Sequence, residues 1–177
     1  AIPSVSSKLC AYWNSMGMDV KILLKVFEEK PISVESIGAL PTEAFLQVFE
    51  TSGIKTSPKG VLKVFITDDY ERKELGEINQ EAMAPRQPWM LIKPVGVELW
   101  IGPIFVPDKT GCWTCLTQRL RNNRPMNIFY KTQRNTEENP PIPVSLAPMS
   151  LQVAANLSAI EIAKWLYFGK NERLEGK

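Results

Sequence analysis

At 177 residues, 44% apolar and 23% charged, the chain has the make-up of one globular domain large enough to bury a core. A net charge of +2 leaves no footprint for nucleic acid or an anionic membrane, and the apolar runs are too short to span a bilayer. With no histidine, the usual general base, the Ser-His and Cys-His nucleophile pairs and His-ligated catalytic metals are all excluded.

Ser4 to Met16 reads as a helix: Ser4, Ser6 or Ser7 can cap it, Leu9, Tyr12, Trp13 and Met16 form a stripe, and Gly17 stops it. Val20 to Phe27, apolar and β-branched on both faces, predicts a buried strand. The segment Glu28 to Ser33 then stands where a nucleotide-binding α/β fold carries its glycine-rich phosphate turn. It holds two carboxylates and a proline instead of glycines, which argues against phosphate binding there. Val34 to Phe49 predicts a helix interrupted at Pro41 and ended by Gly53. Val61 to Thr67 predicts a second buried strand running into Asp68-Asp69, and Tyr70 to Ala84 a charged helix with Leu75, Ile78, Ala82 and Met83 inward.

Trp89 to Ile92 and Val97 to Phe105 predict two more strands, joined by the turn Lys93-Pro94-Val95-Gly96. A helix opens at Cys112 and breaks at Asn122 to Pro125. Residues 131 to 143, polar and proline-rich, read as a mobile loop or crossing arm. Ser150 to Phe168 is a long helix that Ser150 can cap and Gly169 stops, apolar around most of its girth, with Ala154, Ala155 and Ala159 allowing close helix approach. Strands alternating with helices predict an α/β fold with a mostly parallel sheet and an antiparallel hairpin near residues 89 to 105.

The cysteines are the chemically pointed feature. Cys112 and Cys115 have the spacing by which two thiolates grip one Zn²⁺ from a turn entering a helix. Only Cys10 accompanies them, so the pair is half of a four-ligand site. Two small, partly buried thiols and a helix-terminal redox pair are the other readings. CxxC spacing suits a reducing cytosol better than a secreted disulfide framework. Asp68 and Asp69, at the carboxyl end of a strand, suit a helix N-cap better than a ligand site once the glycine turn is missing. Arg119, Arg121 and Arg124 read as solvated helix-end charges, and Trp89, Trp100, Trp113 and Trp165 as core or interface anchors.

In order, Val64 to Asp69, Ile78-Asn79, Pro88-Trp89, Gly102-Pro103 and Cys112-Trp113-Thr114-Cys115 resemble the ThiF/MoeB group of ubiquitin-activating-type adenylating enzymes. The stretches Trp89 to Gly96, Leu99 to Pro107, Thr110 to Leu116 with Arg119-Leu120, and Glu161 to Trp165 are more closely similar to the ThiF-like middle region of cyclodehydratases. Those enzymes form thiazolines and oxazolines in ribosomal peptides, as the cyanobactin heterocyclases do. The resemblance implies a degenerate ThiF/MoeB-like Rossmann-type domain over residues 1–177, with a partial Rossmann half (1–60) and a CxxC half (61–177), excised from a longer chain. It implies a docking and scaffold role in bacteriocin-type biosynthesis, with no catalytic and no cofactor-binding residue in this piece. Its partners would be a precursor peptide and an ATP-using YcaO-type domain. Zinc would be held by Cys112 and Cys115 together with a second CxxC further on, and the domain would pair as a cytoplasmic homodimer. ATP-dependent adenylation of a carboxyl terminus and an unrelated zinc-ribbon-like interaction module are the competing expectations.

Overall fold

A computed structural model describes residues 7–136 and 146–175. In chain order the elements are α1 (Ser7–Ser15), α2 (Val20–Glu29), β1 (Ile32–Ile37), α3 (Glu43–Thr51), β2 (Leu62–Thr67) and α4 (Glu74–Met83). These are followed by β3 (Trp89–Lys93), β4 (Trp100–Phe105), α5 (Trp113–Asn122), α6 (Pro125–Arg134) and α7 (Pro148–Phe168). The sheet runs β1-β2-β3-β4, with β1, β2 and β3 parallel and β4 antiparallel to β3.

Alternation along the strands builds two cores, one on each face of the sheet. Leu62, Val64, Ile66, Met90, Ile92 and Ile104 point to the larger core, completed by α1, α2, α3 and α7. Phe65, Trp89, Leu91 and Phe105 point the other way, onto Leu75, Ala82 and Trp113 of α4 and α5. Strands β2 and β3 are covered on both faces, which is why their sequences are nearly continuous apolar runs. The predicted α/β class, with its parallel strands and terminal hairpin, is the observed one.

Two predicted elements are wrong. Val20 to Phe27 is the helix α2, capped by Asp19, whose carboxylate accepts from the backbone N–H groups of Lys21 and Ile22 at 2.8 and 3.1 Å. Val20, Leu23 and Phe27 recur at helical spacing, and Leu23 and Phe27 are buried, while Ile22 is exposed. Val34 to Phe49 is split: its first part belongs to β1, and α3 begins only after Pro41. Consequently Glu28 to Ser33 joins a helix to a strand and is not the strand-to-helix turn where phosphates bind. That turn follows β1, at Gly38 to Thr42. Smaller shifts are that α4 starts at Glu74, with Met83 exposed and not inward, and that residues 131–134 close the helix α6, which ends at Asn135 in a left-handed conformation. Ser4, Ser6 and the stretch 137–143 of the predicted arm lie outside the described residues.

Helix α7 starts with Pro148 at its first position and ends on Gly169, whose N–H donates to the Trp165 carbonyl at 2.9 Å. Ser150 does not cap it; its hydroxyl donates to the Ala147 carbonyl. The face carrying Ala154, Ala155, Ala159 and Ile162 is buried in the domain's own core against the sheet, α2 and α3. Those alanines therefore permit close helix approach within the chain, not to a second copy. Past α7 the chain returns to the sheet, and Ile104 N–H donates to the Leu174 carbonyl at 2.8 Å. Among the described residues, no helix is long and apolar enough to cross a membrane.

Candidate functional site

Cys112 is the N-cap residue of α5 and Cys115 lies in its first turn, with the two sulphurs 3.6 Å apart. Two thiolates at about 2.3 Å from one tetrahedral Zn²⁺ stand roughly 3.8 Å apart, so the pair fits half of such a site. Among the described residues no group of three or more Cys, Asp or Glu gathers to complete it. Burial pushes the Cys112 thiol up, but hydrogen bonds from Cys115 and Thr114 at the opening of the helix outweigh it and hold the thiol below its ordinary range. Cys10 lies on α1, away from the pair in the fold.

The helix carrying this pair is fixed from beneath. Trp113 is buried in the smaller core, and its indole N–H donates to the Tyr70 carbonyl at 2.8 Å. Its backbone N–H donates to the buried Asn79 side chain at 3.1 Å, so a residue of α4 satisfies one of the orphan donors of α5. Gly76 makes room for the ring: a Cβ there would lie 3.3 Å from the indole. The Tyr70 hydroxyl donates to the carbonyl of Gly102 in β4, and burial pushes its pKa well up. Asp-Asp-Tyr, Ile-Asn and Cys-Trp are thus one connected support from β2 to α5.

The second place of interest is the carboxyl edge of the parallel strands, where open α/β sheets receive ligands. Ile37 and Thr67 are register partners there, so Gly38 and Asp68 leave the sheet side by side. Arg72 closes this edge, its Nε 2.5 Å and its Nη2 2.8 Å from the two Asp68 oxygens. The guanidinium holds the Asp68 carboxyl below the usual carboxylate range against an opposing effect of burial. Gly38, at φ +89°, passes directly under it: a Cβ would lie 2.8 Å from Arg72 Nη2. Asp69 accepts from the Glu71 backbone N–H at 3.1 Å. Neither aspartate caps α4, whose N-cap residue is Lys73; they order the turn before it.

Beside this edge, Trp100 is approached by two cations, with Lys93 Nζ 4.7 Å and the Arg124 guanidinium carbon 5.4 Å from its ring centre. Burial, followed by the charge of Arg124, lowers the Lys93 pKa despite Asp69 and Glu98 nearby. Sequence reasoning missed Arg72 and Lys93. The i,i+4 spacing of Asp68 and Arg72 was a usable signal for the first; the pairing of Lys93 with Trp100 depends on the β3–β4 hairpin register, in which the two residues are opposed.

A heterocyclase solved in complex with substrate and cofactor and the heterocyclase TruD match this chain with TM-scores of 0.85 and 0.84, each at 35% identity over 96% of it. The chain is a heterocyclase-related domain. It spans 23% and 25% of the lengths of those two proteins. E. coli MccB, the microcin C7 biosynthetic enzyme, shares the fold at a TM-score of 0.65 and 15% identity, over 96% of this chain and 64% of its own. No protein-family model and no curated protein matches the chain. The ThiF/MoeB-like resemblance read from the ordered motifs agrees with both structural likenesses.

Proposed function

We propose that this heterocyclase-related domain is a non-catalytic docking scaffold in a ribosomal-peptide cyclodehydratase, the assembly that closes thiazoline and oxazoline rings on a precursor peptide. The observation that carries the reading is the 35% identity sustained over 96% of the chain to two heterocyclases. The scaffold role is supported by the carboxyl edge of β1 and β2. There the Asp68 carboxylate is already paired with Arg72, and Gly38 passes close to the same guanidinium. In this reading ATP is used by a YcaO-type domain or subunit, and the precursor peptide is the shared partner. Cys112 and Cys115 supply two of four thiolates to a structural zinc in a longer protein. A second copy packs on the exposed stripe Met149, Val153 and Leu157 of α7, since Ala159 faces inward.

Two measurements test the central claim. Isothermal titration of the chain with Mg²⁺-ATP is expected to show no micromolar binding; a clear isotherm would promote the rival reading, an adenylating enzyme acting on a carboxyl terminus. A heterocyclase carrying this chain in place of its own matching segment is expected to keep cyclodehydration, read by mass spectrometry as one water lost per ring. A folded chimera with no ring formation would count against the scaffold role.

A further inference from the structure

From Lys109 to Thr136 the chain carries six cations, Lys109, Arg119, Arg121, Arg124, Lys131 and Arg134, and no carboxylate. Elsewhere fifteen cations face nineteen carboxylates, so the positive balance is concentrated in this stretch. The fold turns part of it into a cleft of about 390 Å³ between the start of α4, the last turn of α5 and α6, lined by Lys73, Arg121, Asn127, Ile128, Lys131 and the buried Glu71. The Glu71 carboxylate faces Arg124 Nη1 at 3.7 Å, so its charge is met within the chain. Lys73, Arg121 and Lys131 form no ion pair among the described residues.

Helix α6 adds the apolar half of the surface. None of its ten residues is buried, and Met126, Ile128 and Phe129 are 72%, 54% and 58% exposed. A helix this short has little stability of its own, and it takes most of what it has from a covered apolar face. Among the described residues nothing covers that face, and Ile128 carries it to the rim of the cationic cleft. We propose that α6 and this cleft are the docking surface for an acidic peptide segment. Its carboxylates pair with Lys73, Arg121 and Lys131, and its apolar side chains cover Ile128 and the exposed neighbours on α6. A peptide fits better than a nucleic acid, because the three large exposed apolar side chains Met126, Ile128 and Phe129 offer a run of phosphates nothing, whereas apolar peptide side chains can cover them. This surface rests on charge and geometry and holds whichever reaction the assembly performs.

Fluorescence anisotropy with a labelled peptide of alternating Glu and Leu tests it on the whole chain. Binding is expected, weakening as salt is added and absent for the Lys-Leu counterpart. Charge reversal in K73E/R121E/K131E should lower affinity by about tenfold or more. The neutral K73Q/R121Q/K131Q should fall between, and I128S/F129S should weaken the same complex. All these residues except the half-buried Lys131 are exposed, and unchanged circular dichroism melts would confirm that the fold is intact. Equal affinity of the charge-reversed and unaltered chains would overturn the proposal. So would no binding by the unaltered chain, or a single-stranded oligonucleotide that competes as well as the acidic peptide.

Discussion

The Asp68–Arg72 pair is the most informative place to perturb this domain, because it both closes the strand edge and joins β2 to the turn before α4. Replacing Asp68 by Asn keeps the shape of the side chain and removes its charge; Arg72→Met removes the guanidinium; the double variant removes both. The Asp68 side chain is 19% exposed and Arg72 31%, so the pair is neither a surface ion pair nor a dry one. Two charge-assisted hydrogen bonds contribute about 1.5–3 kcal/mol when sheltered, and solvent at this exposure reduces the expected coupling to about 1–2 kcal/mol. Each single variant also leaves a half-buried group without its partner, so each should cost more than the coupling alone suggests, about 2 kcal/mol. For a domain of this size that is a melting point lower by roughly 4–8 °C. Urea unfolding of the four proteins gives the coupling energy directly. A value inside the additivity error of about 0.3–0.5 kcal/mol would refute the idea that this pair latches the edge.

Gly38→Ala should destabilise by about 1–3 kcal/mol, since φ there is +89° and the new Cβ would meet Arg72 Nη2 at 2.8 Å; calorimetry reads the loss, and in an Arg72→Met background part of it should be recovered. Asn79→Ala removes the acceptor for the Trp113 N–H and should cost about 1 kcal/mol, with faster amide exchange at the start of α5 as the specific sign. A charge at Ala159, 3% exposed, should unfold the domain outright, whereas Val153→Glu and Leu157→Glu should leave the fold and change only association seen by light scattering. Asp68 and Glu161 both titrate lower in the folded chain than in the unfolded one, Asp68 through Arg72 and Glu161 because Asn171 and Lys164 outweigh its burial. The unfolded state therefore binds more protons as pH falls. The stabilisation from both groups is complete above the ordinary carboxylate range and is lost as pH drops through the folded values. Melting points between neutrality and acid should decline, and less steeply in Asp68→Asn.

What the sequence made legible follows from how strongly local pattern and tertiary environment agreed. Strands β2 and β3 read correctly because they are buried on both faces, so burial and strand propensity point the same way. Helices α5 and α7 announced themselves by a helix-entry CxxC and by a Gly169 stop. Val20 to Phe27 misled because its valines and isoleucine favour a strand, while the decisive helix signal was the single Asp19 cap together with the spacing of Leu23 and Phe27. Strand β1 was hidden for the opposite reason. It lies at the end of the sheet order with Glu35 and Ser36 among its residues, so its alternation is weak, and along its length its place in the sheet comes from pairing with β2. At the candidate site, Cys112 and Cys115 were legible from spacing. The closed strand edge was not, since Gly38 and Arg72 meet only through the β1–β2 register.

That register also bears on the motifs by which the domain resembles adenylating enzymes. The aspartates after β2, the asparagine of α4 and the CxxC of α5 keep the order of that group, yet each side chain here is turned toward its own chain. Asp68 is held by Arg72, Asp69 by the turn it orders, and Asn79 by the backbone of Trp113. The smaller core formed by Phe65, Leu75, Trp89, Phe105 and Trp113 then makes β2, α4, the β3–β4 hairpin and α5 one packed unit. A ligand that needed the Asp68 carboxylate would have to separate it from Arg72 first, at the cost estimated above. The two cysteines face no such barrier: Cys115 is exposed, Cys112 is partly so, and their sulphurs are already near the separation that a shared zinc requires.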